Sequence, residues 1–121
     1  MSTQAARFVL VHRCTVQRRP VASEDPYGGT VYGEWEDHLA ALPSKWWMEI
    51  GRGEILDADR EIVEDLSRML VPADADVVES DRIVRIRDRR GRELSARTWG
   101  IQAIVPRISE GMKLLLLRAV T

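Results

Sequence analysis

A chain of 121 residues, 45% hydrophobic and 31% charged, is sized for one domain with a single modest core and is too apolar to be disordered throughout. A net charge of −1 argues against a general nucleic-acid coat, and one cysteine, Cys14, excludes an intrachain disulfide, a zinc ribbon or a redox pair. The longest apolar run, Leu114 to Leu117, is far too short to cross a bilayer, and no basic leader precedes a long apolar stretch, so neither a membrane span nor a secretory signal is expected.

Met1 to Ala6 is small and polar and reads as a loose arm. Phe8 to Arg19 has the period of a strand, with Cys14 and Val16 opposite Arg13, Thr15 and Gln17. Pro20 ends it, because proline cannot donate to a ladder, and Ser23 to Gly29 is a turn. A second strand is predicted from Thr30 to Ala41, broken by Pro43-Ser44 before Lys45 to Ile50. There Trp46 and Trp47 are adjacent and must point to opposite faces. One fills the core; the other is either an anchor for another subunit or covered by the chain's own N-terminal arm.

The next stretch supports two readings. Ile55, Ala58, Ile62, Leu66 and Met69 recur at helical spacing, whereas Ser67 to Val71 also reads as a strand. A short helix or ordered loop near Glu54 to Glu64, followed by a strand, is predicted. From Arg82 the period-two signal returns: Arg82 to Arg87, a tight turn Asp88-Arg89-Arg90-Gly91, and a returning arm Arg92 to Trp99. Ile101 to Val105 and Lys113 to Val120 complete the set, with a turn at Ser109-Glu110-Gly111. The expectation is a single, mainly β domain over residues 1–121: a small barrel or sandwich of about seven strands with one short helix or ordered-loop insertion.

Charge is segregated along the chain. Residues 49–65 carry seven acids against Arg52 and Arg60, a balance of −5; residues 82–97 carry seven arginines against Asp88 and Glu93, a balance of +5. Such a chain suits contact between identical copies, or else presents two solvated surfaces that never meet. Subunit-interface candidates are Trp46, Trp47, Arg85, Arg87, Arg89 and Arg90.

Catalytic groupings are not found. His12 and His38 lie on separate predicted strands with no second ligand at helical spacing, and Gly51-Arg52-Gly53-Glu54 lacks the lysine and hydroxyl of a phosphate loop. Cys14 reads as a small core residue. Asp57 and Asp59, in so acidic a cluster, read as solvation. The arginines of the second half could lie along phosphates, but base-stacking aromatics are missing from that hairpin apart from Trp99 at its end. Neither enzyme activity nor a cofactor is expected.

The order of several features resembles the head–tail joining (head-completion, or stopper) proteins of tailed bacteriophages. They are the opening strand His12-Arg13-Cys14-Thr15-Val16-Gln17-Arg18, the turn Asp25-Pro26-Tyr27-Gly28-Gly29, Trp35, and Gly51-Arg52-Gly53-Glu54. Val71-Pro72, Asp76-Val77, Asp81-Arg82-Ile83, the charged hairpin and Val105-Pro106-Arg107 follow, so the likeness spans Arg13 to Val120. It implies a small β-barrel that assembles as a dodecameric ring beneath the portal and its adaptor. Such a ring closes the capsid over packaged double-stranded DNA and docks the tail-terminator or tail-tube proteins, at the head–tail interface of the virion.

In that family a long connection between the second and third strands reaches into the channel. Here it maps to residues 49–65, with Arg52, Glu54, Asp57, Asp59, Arg60 and Glu61 as channel-loop candidates. An acidic lining has its own rationale: each phosphate contact adds affinity through counterion release, so a channel that must pass DNA is served by repelling it. The helical spacing in this connection departs from a simple flexible loop, and leaves packing on the barrel or on a neighbour as the alternative to gating. The competing readings are a small-barrel nucleic-acid-binding protein, and a tail-terminator or adaptor subunit of the same connector.

Overall fold

The computed structural model describes residues 10–48, 66–107 and 111–120. Within them the chain forms nine strands and no helix: β1 (His12–Arg18), β2 (Val21–Glu24), β3 (Thr30–Tyr32), β4 (Glu36–Met48), β5 (Leu66–Pro72), β6 (Arg82–Asp88), β7 (Glu93–Ser95), β8 (Trp99–Arg107) and β9 (Met112–Ala119). Seven lie in one sheet of order β1-β4-β5-β9-β8-β6-β7, and β1 also pairs with β6. That last pairing closes six strands into a barrel and leaves β7 outside it. Every pairing is antiparallel. Strands β2 and β3 form a separate hairpin. The predicted loose arm and the acidic insertion at 49–65 lie outside the described residues.

The barrel is filled by Cys14, Val16, Leu42, Met69, Val71, Ile83, Ile86, Trp99, Ile101, Leu115 and Leu117, all buried in one cluster with Val77. Pairs two apart on a strand, such as Cys14/Val16, Met69/Val71 and Leu115/Leu117, follow the pleat. Other strands break it. Ile83 and Ile86 both point inward across three positions, and Leu39 packs on the same core as Leu42. Each interruption coincides with a register shift in the pairing, between Arg13 and Thr15 opposite β6 and between Cys14 and Val16 opposite β4. Arg85 (φ 50°) and Ala41 (φ 53°) take left-handed backbone at these bulges. One extra residue there turns the following side chains to the other face.

Trp46 and Trp47 divide as adjacent strand residues must. Trp46 packs on the inner cluster, 5.9 Å from the Trp99 ring at an interplanar angle of 59°, and donates Nε1–H to Ser67 Oγ at 2.9 Å. Trp47 packs with Leu114 against a second, smaller cluster of Leu10, Leu70 and Met112. Leu10, just before β1, is buried in that cluster, and Trp47 stays half-buried against it.

Three expectations are corrected. Pro43-Ser44 does not interrupt β4, which runs continuously to Met48. The ladder to β5 begins only at Lys45, so Pro43 has a partner strand on one side alone, the edge situation in which proline is tolerated. The returning arm does not run unbroken from Arg92 to Trp99: β7 stops at Ser95, and Trp99 opens the long strand β8, which absorbs the segment predicted as Ile101 to Val105. Among the described residues the first strand starts at His12, since Leu10 packs on the outer cluster outside the ladder; the predicted start at Phe8 lies outside the described residues.

Candidate functional site

The outer face of β1, between β4 and β6, carries an open cleft of about 520 Å³ lined by Arg13, Cys14, Thr15, Asp37, Ala40, Ala41, Arg85, Arg87, Asp88 and Gly91. Local rules explain its shape. The bulge at Arg85 re-aims that side chain, so that Arg85 and Arg87 both line the cleft while Ile83 and Ile86 stay inside. Ala41 lines the opposite wall at the second bulge. The cleft therefore sits where β1 is irregularly paired on both flanks.

Its charges are unequally occupied. Arg13 Nη1 donates to the carbonyls of Leu10 (3.0 Å) and His12 (2.7 Å), which pins it along the wall. Arg85 Nη1 lies 3.2 Å from Asp37 Oδ1, and Gln17 Nε2 donates to the same oxygen at 2.9 Å. These bonds, Gln17 first and Arg85 second, hold the Asp37 carboxyl below its ordinary range. Asp88 Oδ1 accepts the backbone N–H groups of Arg90 and Arg92, each at 2.9 Å, and fixes the turn, where Gly91 supplies φ 86°. The guanidiniums of Arg87, Arg89 and Arg90 meet no partner among the described residues, and all three residues are exposed. A wall that places unpaired guanidiniums beside a concave surface can take carboxylates or phosphates in bidentate fashion.

At the other end of β1 a second polar cluster is internally satisfied. Arg18 grips the fully buried Asp81 carboxylate through Nε and Nη2, both at 2.8 Å, and Asp81 Oδ2 also accepts the Val78 N–H at 2.9 Å. Asp76 bonds Arg18 Nη1 (3.2 Å) and His38 Nε2 (2.9 Å), Arg18 first among the groups that depress its pKa. Next to it Arg19 lies over the rings of Tyr32 (4.6 Å) and Trp35 (4.7 Å), and Arg82 over Trp35 at 4.2 Å. This ladder anchors the β2–β3 hairpin to the barrel. At the hairpin tip Asp25 Oδ1 accepts the N–H groups of Tyr27 (2.9 Å) and Gly29 (2.7 Å), presenting Tyr27 at 97% exposure. The triplet Asp81-Arg82-Ile83 and the turn Asp25 to Gly29 thus have architectural work: an ion-pair grip, an aromatic stack and a capped hairpin.

Of the interface candidates, Arg85 and Arg87 line the cleft and Arg89 and Arg90 sit on the turn at its rim, whereas Trp46 packs on the barrel core and Trp47, half-buried, on the outer cluster. The channel-loop candidates Arg52, Glu54, Asp57, Asp59, Arg60 and Glu61 lie outside the described residues. Sequence reasoning missed Asp37, Arg13 and the Arg18–Asp81 pair. The residue types were visible, but nothing local joins position 18 to position 81. Cys14 is buried with its sulfur 3.7 Å from that of Met69, and burial pushes the thiol up to about 12, only partly offset by the Ser44 hydroxyl. Ser44 Oγ makes no conventional hydrogen bond among the described residues.

Neither a family model nor a curated protein matches this chain. Among solved structures it is similar to protein SF1141 of Shigella flexneri 2a, known from a solution structure. The two share 18% identity at a TM-score of 0.61, over 99% of this chain and 98% of that one, so the likeness is one of fold.

Proposed function

We propose that the protein is a structural subunit of a tailed-phage head–tail connector. It forms a homo-oligomeric ring beneath the portal and adaptor that closes the DNA-filled capsid and receives the tail. The observation that carries this reading is a closed six-strand barrel that presents the exposed guanidiniums of Arg87, Arg89 and Arg90 beside an open cleft. Closure removes the open edges of the six barrel strands and leaves only the short β7 as an edge of the main sheet, as suits a subunit that must meet its neighbours through chosen surfaces. The described chemistry is of the recognition kind: unpaired guanidiniums, a rigidly capped hairpin with an exposed tyrosine, and a core thiol that burial keeps protonated. The ordered features that resemble the head-completion family support the same reading. The adaptor alternative called for a mainly helical chain, which the described strands do not favour.

Co-expression of the full chain with the portal and adaptor proteins of the same phage, followed by electron microscopy, tests the proposal. A ring of twelve copies below the adaptor is expected; a chain that remains monomeric and never joins that assembly would overturn it. A second reading, a small-barrel DNA-binding protein, is favoured only by the unpaired Arg87, Arg89 and Arg90. It requires salt-sensitive retardation of DNA that weakens when Arg85, Arg87 and Arg89 are changed to alanine.

A further inference from the structure

The tip of the β2–β3 hairpin is a built projection. Asp25 N–H donates to the Gly29 carbonyl at 2.7 Å and Gly28 N–H to the Asp25 carbonyl at 3.1 Å, while the Asp25 carboxylate accepts the Tyr27 and Gly29 N–H groups. A β-carbon at Gly29 would collide with that carboxyl, so a larger residue there would open the turn. At the base, Gly33 N–H donates to the Pro20 carbonyl at 2.8 Å, beside the stack of Arg19 and Arg82 on Trp35. The projection carries Glu24, Asp25 and Tyr27, all exposed. Held in one conformation, it loses little freedom when it docks, and a tyrosine adds a large contact area with few torsions to order.

The strand register places this projection relative to the cleft. β1 runs from His12, which pairs with Asp88, to Arg18, which pairs with Glu36. Antiparallel pairing resumes in the hairpin, where Val21 pairs with Tyr32 and Glu24 with Thr30, so the hairpin is rooted at the Arg18 end. The arginines of the cleft belong to the His12 end: Arg87 pairs with Arg13, and Arg89 and Arg90 follow in the turn after Asp88. Tyr27, at 97% exposure, does not enter its own cleft. Projection and cleft are thus different surfaces rooted at opposite ends of one strand, the asymmetry through which copies join head to tail into a ring.

The two surfaces match in charge and in size. Between Val21 and Glu34 the hairpin holds Glu24 and Asp25 and no basic residue. The cleft has Arg85 and Arg87 on one wall and Arg89 and Arg90 at its rim. Its own acids are committed, Asp37 to Arg85 and Gln17, and Asp88 to the N–H groups of the turn. Its volume of about 520 Å³ lies within the roughly 300–1,000 Å³ of pockets that enclose a small organic molecule, so an aromatic ring fits. Guanidiniums suit both parts of such a guest, lying over an aromatic face and forking onto carboxylates.

We propose that the cleft over β1 receives the hairpin tip of an adjacent copy, with Tyr27 against Arg87 and the carboxylates of Glu24 and Asp25 on Arg89 and Arg90. The inference rests on the ring reading and names the contact that joins its subunits.

A charge swap tests it at exposed positions. One full-length variant carries Glu24→Lys and Tyr27→Lys and keeps the Asp25 cap; a second carries Arg87→Glu, Arg89→Glu and Arg90→Glu. Self-association is followed by sedimentation velocity at low salt, with circular dichroism confirming that both variants keep the strand spectrum. Each variant alone is expected to lose self-association by about tenfold or more, and an equimolar mixture to recover it, because each reversed tip then finds a reversed cleft. If both variants associate as well as the wild type, this contact is wrong while the ring reading stands. Folded variants that lose association and do not recover on mixing would overturn the pairing of tip with cleft and leave the ring reading in place. A wild-type chain that never associates, alone or with the portal and adaptor, would overturn both readings, and so would one that stays monomeric and retards duplex DNA at low salt.

Discussion

His12 Nδ1 accepts the backbone N–H of Trp46 at 2.9 Å, a bond that requires this nitrogen to be unprotonated. Burial lowers the His12 pKa; Asp88 acts against that shift and Lys45 adds to it. A folded-state value below the unfolded one means that the unfolded chain takes up protons first as pH falls. Stability is therefore lost on acidification from about pH 6.5 downward, and the loss levels off below the folded value. His12→Asn offers an oxygen acceptor in place of the ring nitrogen and does not titrate. Its urea midpoint is expected to change less than that of the wild type between about pH 7 and pH 5. An equally steep variant would remove His12 from the account. Below about pH 4 both proteins lose further stability, since Asp37 and Asp76 are held below the ordinary carboxylate range and must protonate. Sequence inspection had placed His12 on a strand but gave it no partner, because that partner is a backbone group 34 residues away.

At the scale of the element, the bulges decide which side chains reach the cleft. Leu39/Leu42 and Ile83/Ile86 are three apart, a spacing that in isolation reads as helical or as an error in a strand. The structure resolves both as one extra residue in a ladder, paid for by left-handed backbone at Ala41 and Arg85. A non-glycine residue in that region costs roughly 1 kcal/mol or more, part of which glycine relieves at an entropic cost of its own. Ala41→Gly is thus expected to stabilise the fold by up to about 1 kcal/mol, visible as a raised melting temperature, and a drop of that size would show that the Ala41 methyl matters more than its backbone. The turns were easier to read. Asp25 to Gly29 and Asp88 to Gly91 carry their own instructions, an aspartate that caps two N–H groups and a glycine with positive φ, so local sequence suffices.

For the whole molecule, closure through the β1–β6 pairing places Cys14 in a sealed interior. Its thiol, pushed up to about 12 by burial, is both shielded and protonated at neutral pH. A thiol reagent is expected to leave the native chain unmodified and to label it completely in denaturant. Labelling should slow in step with global stability, because the barrel must open for the sulfur to be reached. Rapid labelling of the folded protein would mean that the barrel opens locally at β1.

What the sequence determined by itself is what nearest neighbours along the chain can encode. The period of two, the capped turns, the opposite facing of Trp46 and Trp47 and the segregation of acid from base are all local properties. Tertiary structure alone decided that β1 closes on β6, that Trp47 packs against the cluster of Leu10, Leu70 and Met112 and that Arg18 holds Asp81. It also set β4 and β6 parallel to each other on either side of β1. These depend on which distant strands share hydrogen-bond ladders and where a ladder slips by a residue. Such pairings are selected by the packing of the whole barrel, and no local pattern of side chains specifies them.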